Sequence, residues 1–229
     1  MTTATKMKIS KETIGLLKNF ASINSNILVK TGNKIRTISN YKNVLAEAIV
    51  EETFDIEFGI WDLGKFLGTI SLFESPTFEF NEKNVVIEGE NGATVVYYYS
   101  EPKLLTTVNK ELEIPAAVVN CEIKEEDFKE IQNAAGVLQL PDLKISSNGD
   151  KINLTVHDRK DPSSNSYTFE VGDNSDGADF NFFFKVENMK MLSGDYDVKI
   201  CKNSVAKFTN KNKDLKYWVA MEPDSTYNQ

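Results

Sequence analysis

The second half of this 229-residue chain repeats the plan of the first, element by element, and that duplication limits the fold more than any single motif does. Ile9-Ser10-Lys11-Glu12 opens a helical run, and Ile123-Lys124-Glu125-Glu126 opens another 114 positions later. The hairpin region at Asn33-Lys34-Ile35 returns at Asp150-Lys151-Ile152, an offset of 117. Asp55-Ile56-Glu57-Phe58-Gly59-Ile60 is matched at an offset of 124 by Asp179-Phe180-Asn181-Phe182-Phe183-Phe184. Both runs alternate as strands with one buried face. Short helical segments follow, residues 62–72 and 186–192, and each half closes on a strand ending in Glu-Pro, 97–102 and 217–223, at an offset of 121. The offsets drift only as loop insertions would make them.

The chain can bury either one large core or two of roughly 110 residues each, and the duplication favours two. The expected domains are residues 1–110 and 111–229, with an exposed connector over 101–120 that contains Pro102 and Pro115. Leu104, Leu105, Val108 and Ile114 make this connector unusually apolar, so it is expected to pack down and border a groove. Each domain reads as helix, several strands, short helix, several strands. Strands are predicted at 77–80, 85–88, 94–99, 167–171, 196–200 and 205–209, and Asn148-Gly149 marks a hairpin between alternating apolar runs.

In the first helix Ser10 is the expected N-cap, with Ile14, Leu17, Phe20 and Ala21 as the buried stripe. Lys11, Gly15, Lys18 and Ser22 fall on one opposite face that is basic and otherwise small. In the second half Phe128, Ile131, Ala135 and Leu138 form the stripe, leaving Lys129, Asn133 and Gly136 opposite. Glu125, Glu126 and Asp127 sit in its first turn, where the helix dipole favours acids. The short helices add Lys65, and Lys190 between two methionines. One lysine-bearing face therefore recurs at equivalent places in both halves.

Charge is uneven between the halves. Residues 1–110 hold 12 Lys+Arg against 13 Asp+Glu, a balance of −1, and residues 111–229 hold 14 against 21, a balance of −7. An acidic protein is repelled by phosphate at long range, so any DNA contact needs its lysines gathered on one surface. No apolar run reaches the roughly 18 residues of a membrane span, and the first seven residues lack a signal-peptide core. Both observations lead to the expectation of a soluble, intracellular protein without a membrane partner. Cys121 and Cys201 lack metal spacing and read as free buried thiols.

No motif for catalysis emerges. There is no P-loop, dinucleotide fingerprint, HExxH or CxxC pair, and the sole histidine, His157, is expected on the surface. Glu51-Glu52 and Glu125-Glu126 read as surface or helix-start charge and not as metal ligands. Residues 172–177 read as a polar loop between strands, since they lack the final glutamate of an EF-hand. Neither a catalytic residue, a metal nor a cofactor is expected.

From Lys6 onward the chain carries long strings in a fixed order: Met7-Lys8-Ile9-Ser10-Lys11-Glu12-Thr13, then Leu16 through Ser25, Trp61-Asp62-Leu63-Gly64-Lys65-Phe66-Leu67-Gly68, Asn188-Met189-Lys190-Met191-Leu192-Ser193-Gly194-Asp195-Tyr196, and Tyr217 through Thr226. Together these resemble the DNA polymerase sliding clamps, or processivity factors, of T-even-type bacteriophages. The resemblance implies an α+β DNA clamp fold with two topologically similar domains per chain. Helices would line a central hole, antiparallel sheets would form the outside, and three subunits would join head to tail as a ring-shaped homotrimer.

By the same resemblance the protein would encircle double-stranded DNA without regard to sequence, with Lys11, Lys18, Lys65, Lys129 and Lys190 facing it. Family members carry arginines on the second-half helix where this chain has Asn133 and Gly136, which implies a weaker grip by the second domain. Implied partners are the C-terminal tail of the phage DNA polymerase, an ATP-driven clamp loader and the late-transcription factors, all in the host cytoplasm. The tail's hydrophobic pocket would draw on Leu104, Leu105 and Val108, with Val219, Met221 and Pro223. Two rival readings are a non-DNA oligomeric β-rich phage structural or binding protein, and a carboxylate-based hydrolase.

Overall fold

In the computed structural model, which describes residues 5–108, 112, 115–175, 177–202 and 205–228, the chain forms two compact units, Met1–Glu111 and Leu112–Gln229. The first unit runs β1 (Thr5–Met7), α1 (Lys11–Ile23), β2 (Ile27–Val29), β3 (Gly32–Ile38), β4 (Val44–Phe54), β5 (Phe58–Ile60), α2 (Leu63–Ile70), β6 (Thr77–Phe80), β7 (Asn84–Glu88) and β8 (Thr94–Tyr98). The second runs β9 (Ala117–Ile123), α3 (Glu125–Leu138), β10 (Asp142–Asn148), β11 (Lys151–His157), β12 (Tyr167–Asp173), β13 (Asp179–Lys185), β14 (Tyr196–Cys201), β15 (Val205–Asn210), β16 (Leu215–Ala220) and β17 (Thr226–Asn228). A 3-10 turn, Val186–Asn188, stands where the first unit has α2.

The duplication is clearest in strand order. In unit 1 the strands hydrogen-bond in the order β1-β6-β7-β8, all antiparallel. In unit 2 their counterparts follow the same order, β9-β14-β15-β16. The other layer is a continuous sheet in unit 2, β12-β11-β10-β13-β17, but in unit 1 β2 pairs with β5 and β3 with β4.

Each unit closes on its own aromatic core. Phe54, Phe58, Phe80 and Tyr99 pack ring against ring at centroid distances of 5.0–5.6 Å in unit 1. In unit 2 Phe184, Phe208, Tyr196 and Tyr217 do so at 6.1–6.5 Å. Apart from half-buried Tyr99, each such ring is almost wholly removed from water, which is worth about 1.5–3 kcal/mol apiece.

Several sequence expectations change. The predicted second short helix, 186–192, shrinks to the 3-10 turn. Beyond it the backbone is held by side chains instead of helical bonds: Gln132 Nε2 donates to the Met189 carbonyl at 2.9 Å, and the Leu192 N–H donates to Tyr217 Oη at 3.2 Å. The strand expected from Asp55 starts only at Phe58, because the chain turns between β4 and β5. Residues 117–120, placed in the connector, belong to β9. The sequence pattern assigns no element to β4, the longest strand among the described residues, nor to β1, β2 and β17.

On α1 the buried residues are Thr13, Leu16, Leu17 and Phe20, so the stripe is rotated from the predicted one, and Ile14 and Ala21 are only half-buried. On α3 Phe128, Ile131 and Ala135 are buried and Leu138 is half-buried. Both cysteines are free, Cys201 buried and Cys121 half-buried.

Candidate nucleic-acid interface

Each lysine-bearing helix is held by its N-terminal end. Before α1, Ser10 has extended backbone and its side chain accepts the Thr13 N–H at 3.1 Å. A second group comes from β4. The carboxylate of Glu52, 8% exposed, accepts the Ser10 N–H at 2.5 Å and Thr13 Oγ1–H at 2.6 Å. Burial pushes the Glu52 carboxyl up, but these bonds outweigh it and hold the group below the usual carboxylate range. Glu52 was expected to be surface charge. The reason it is not lies in strand parity, since it shares the inward register of β4 with Val50 and Phe54 while Glu51 points out.

On α2 the cap is Asp62, whose Oδ1 accepts the Lys65 N–H at 2.8 Å. On α3, Asp127 Oδ2 accepts the Lys124 N–H at 3.2 Å, and Asp195 Oδ1 reaches in to accept the Glu125 N–H at 2.9 Å. Gly194 permits that reach: its φ is +151°, and a Cβ there would stand 2.5 Å from Asn210 Nδ2.

Around these anchors the structure places the five predicted lysines as follows. Lys11 and Lys18 are exposed on one side of α1. Exposed Lys65 lies on α2, which packs against α1. None of these three is in an ion pair among the described residues. In unit 2, exposed Lys129 is bound to Glu125 at 2.5 Å, four residues back on α3. Glu125 also accepts Ser193 Oγ–H at 2.6 Å, and Lys129, then Ser193, hold its carboxyl below the usual range. Glu126, Asp127 and Glu130 share the helix, with Glu130 accepting from Tyr167 Oη. Lys190 is exposed beside buried Met189, whose carbonyl ties the segment to α3. Within each unit the lysine-bearing segments are thus adjacent, but α1 and α2 carry a free basic face and α3 a largely acidic one.

The predicted pocket residues divide. Leu104 is 58% exposed, but Leu105 is 8% exposed and belongs to the core. Gly59 explains why: a Cβ there would lie 2.5 Å from Leu105 Cδ1 and 2.6 Å from the Ser100 carbonyl, so only glycine lets the connector come down on β5. Val108 is half-buried, and Ile114 lies outside the described residues. Thr106 fastens this segment, its N–H donating to Asn26 Oδ1 at 2.9 Å and its hydroxyl meeting Asn40 Oδ1 at 3.5 Å, beside the β3–β4 turn. At that turn Tyr41 is 91% exposed, a residue that sequence reasoning passed over.

In unit 2 Val219 is fully buried, contrary to expectation, because it falls on the inward side of β16. Met221 is half-buried and Pro223 exposed. The segment between them is latched. Arg159 binds Glu222 at 2.9 Å, Asp224 at 2.5 Å and buried Asp142 at 3.3 Å, and Lys185 reaches Asp142 at 2.6 Å.

His157, expected on the surface, is half-buried with Nε2 shielded from solvent and its ring 6.0 Å from Phe183. Burial, then the nearby Lys144 charge, pushes it below the ordinary histidine value. The loop at 172–177 is a polar connection as expected. Asn174 Nδ2 donates to Ser147 Oγ and to the Gly149 and Ala178 carbonyls at 2.8–2.9 Å, while Asp176 lies outside the described residues.

Known proteins match this chain over nearly its whole length. The family model described as gp45 sliding clamp, C terminal, matches residues 120–223. The sliding clamp of Vibrio phage KVP40 is 31% identical over 221 residues, covering 94% of this chain and 99% of the relative. That of Enterobacteria phage T4 is 32% identical over 229 residues, covering 96% and 99%. Among solved structures, proliferating cellular nuclear antigen of Entamoeba histolytica superposes with a TM-score of 0.70 at 11% identity, covering 97% of this chain and all of that one, which shows the shared fold. The chain belongs to the sliding clamp family of T4-type bacteriophages, DNA-clamp proteins that serve phage replication as processivity factors and not as enzymes.

Proposed function

We propose that three copies of this chain close head to tail into a ring around duplex DNA and tether the phage replicative polymerase to its template, after loading by an ATP-driven clamp loader. The observation that carries this reading is the free basic face of α1 and α2, set in an otherwise acidic protein. Lys11, Lys18 and Lys65 can meet phosphate without base contacts, which is what movement along DNA of any sequence requires. Lys129 and Lys190 contribute less, since the first is held by Glu125 and the helix around it is acidic.

Ring closure would use the open strand edges. β8 ends the sheet of unit 1 with Val96 48% and Tyr98 70% exposed. β12 ends the sheet of unit 2 beside a hollow of about 640 Å³ between α3 and Tyr167, where Val137 is 82% exposed. Joining β8 of one copy to β12 of the next removes both edges and covers these apolar side chains. The polymerase's C-terminal tail, and in turn the late-transcription factors, would dock on the apolar surface of Tyr41 and Leu104 in unit 1. The non-DNA reading is not favoured, since the curated relatives are sliding clamps.

Mass in solution tests the assembly. Wild type is expected at three times the 25.8 kDa chain mass, and Val137→Glu at the chain mass itself. A wild-type monomer at high concentration would contradict the ring.

A further inference from the structure

The acidic half of the chain contains a strongly basic stretch. Residues 199–216 hold six lysines against one acid, Asp214, a balance of +5 within a half that totals −7. They fold as the end of β14, all of β15, the turn that follows and the start of β16. Strand parity gathers three of these lysines on one face. Lys199 stands directly opposite Lys207, Lys207 is opposite Trp218, and Lys216 lies two residues before Trp218 on the same side of β16. Tyr196, buried on the inward side of β14, packs its ring 6.3 Å from Phe128 of α3, so Lys199, three residues on, points away from that helix. Exposed Lys199 and half-buried Lys207 form no ion pair among the described residues. Like charges face to face on neighbouring strands repel and weaken a sheet. This half has 21 acids to spare for them, yet Glu122 is taken by Lys211 at 2.8 Å and Asp214 by Lys216 at 3.5 Å. Lys207 instead seats its ammonium 5.5 Å from the ring of Trp218, itself 7% exposed.

We propose that this face of β14, β15 and β16 is a docking surface for an acidic segment of a partner protein, whose carboxylates pair with Lys199, Lys207 and Lys216. A surface that stays cationic at a cost to its own sheet finds its compensation outside the chain. The Lys216–Asp214 pair is exposed, and such pairs are weak enough to exchange for an incoming carboxylate. Duplex DNA fits the patch less well. The three lysines span about two strand spacings, roughly 10 Å, and Asp197 and Glu122 border them on the same face, so phosphates beyond the patch would meet acids. A short acidic segment ends before that border. The surface belongs to unit 2 alone and lies on the other side of the sheet from α3, so it does not depend on which helices meet DNA.

Fluorescence anisotropy of a labelled polyglutamate peptide, titrated with the full chain at low salt, tests this. Lys199→Glu/Lys207→Glu is expected to weaken binding at least about tenfold. The control Lys144→Glu/Lys160→Glu, which reverses two charges on β10 and in the loop after β11, should weaken it about twofold or less. Equal weakening by both variants, or none by either, would overturn the proposal. So would a short duplex oligonucleotide that loses as much affinity as the peptide on Lys199→Glu/Lys207→Glu, because the occupant would then be nucleic acid. Should charge reversal unfold the protein, Lys199→Gln/Lys207→Gln decides. It relieves the repulsion, so its thermal midpoint should equal or exceed that of wild type while peptide binding falls about threefold or more. Unchanged binding, or a midpoint well below wild type, would assign the two lysines to the fold and overturn the proposal.

Discussion

Unit 1 carries Lys11 and Lys18 unpaired on α1, while unit 2 sets Lys129 against Glu125 on α3 and surrounds it with Glu126, Asp127 and Glu130. The backbone plan around the two helices is nonetheless alike, the strand before each joining three later strands in the same order. The difference teaches that duplication constrains buried positions and strand order, whereas exposed charge drifts freely. A ring that uses both units need not use them equally.

The contrast can be broken most forcefully at the lysines. Lys11→Glu/Lys18→Glu is expected to lower retention on DNA and processive synthesis at least about tenfold, because each lost lysine–phosphate contact removes about 0.9 from the salt slope. Lys129→Glu should change them far less, its charge being already committed to Glu125. Equal effects in primer-extension assays would show that the two units share the DNA evenly.

Stability comes next. Glu52→Ala leaves the Ser10 N–H and the Thr13 hydroxyl buried without their acceptor, at a cost of about 2–3 kcal/mol in denaturant unfolding. Asp195→Ala frees one N–H at a half-buried end and should cost about 1 kcal/mol. Reversal of that order would mean that the anchor of α3 matters more than its exposure suggests.

The same residue gives a pH dependence. The folded state holds the Glu52 carboxyl below its ordinary value of 4.5, so its contribution is complete above that pH and is lost as pH falls through the lower folded value. Wild type and Glu52→Gln should therefore differ most near pH 7 and converge under acid, which thermal melts across pH 3–7 would follow. The smallest effect is a gain. Asn133→Lys adds a cation to the exposed face of α3 and should steepen the salt dependence of DNA binding by up to about 0.9 per new contact.

Much of this was legible beforehand. Alternation located β6, β7, β8 and β12 to β16, and helical spacing located α1 and α3, because these patterns follow directly from which side faces the core. The lysine faces were equally readable, since exposed positions on a helix follow from its stripe. What escaped was set by contacts distant in sequence. Glu52 looked like surface charge because β4 itself had no assigned register, although its parity with Val50 and Phe54 was a usable signal. Leu105 looked available for partners because nothing local shows Gly59 opening a seat for it, whereas Val219 shares the inward parity of Leu215 and Tyr217 on β16, a usable local signal. The ion pair between Lys129 and Glu125 was within reach of helical spacing and marks the acidic helix as the weaker DNA surface.

The account's central claim is a topological link between the assembled chain and DNA. Its most direct test loads the protein onto nicked circular DNA with the clamp loader and ATP, removes the loader, and measures retention before and after the DNA is cut once. The account predicts retention on the circle and rapid loss from the cut ends. Equal retention on both forms would contradict it.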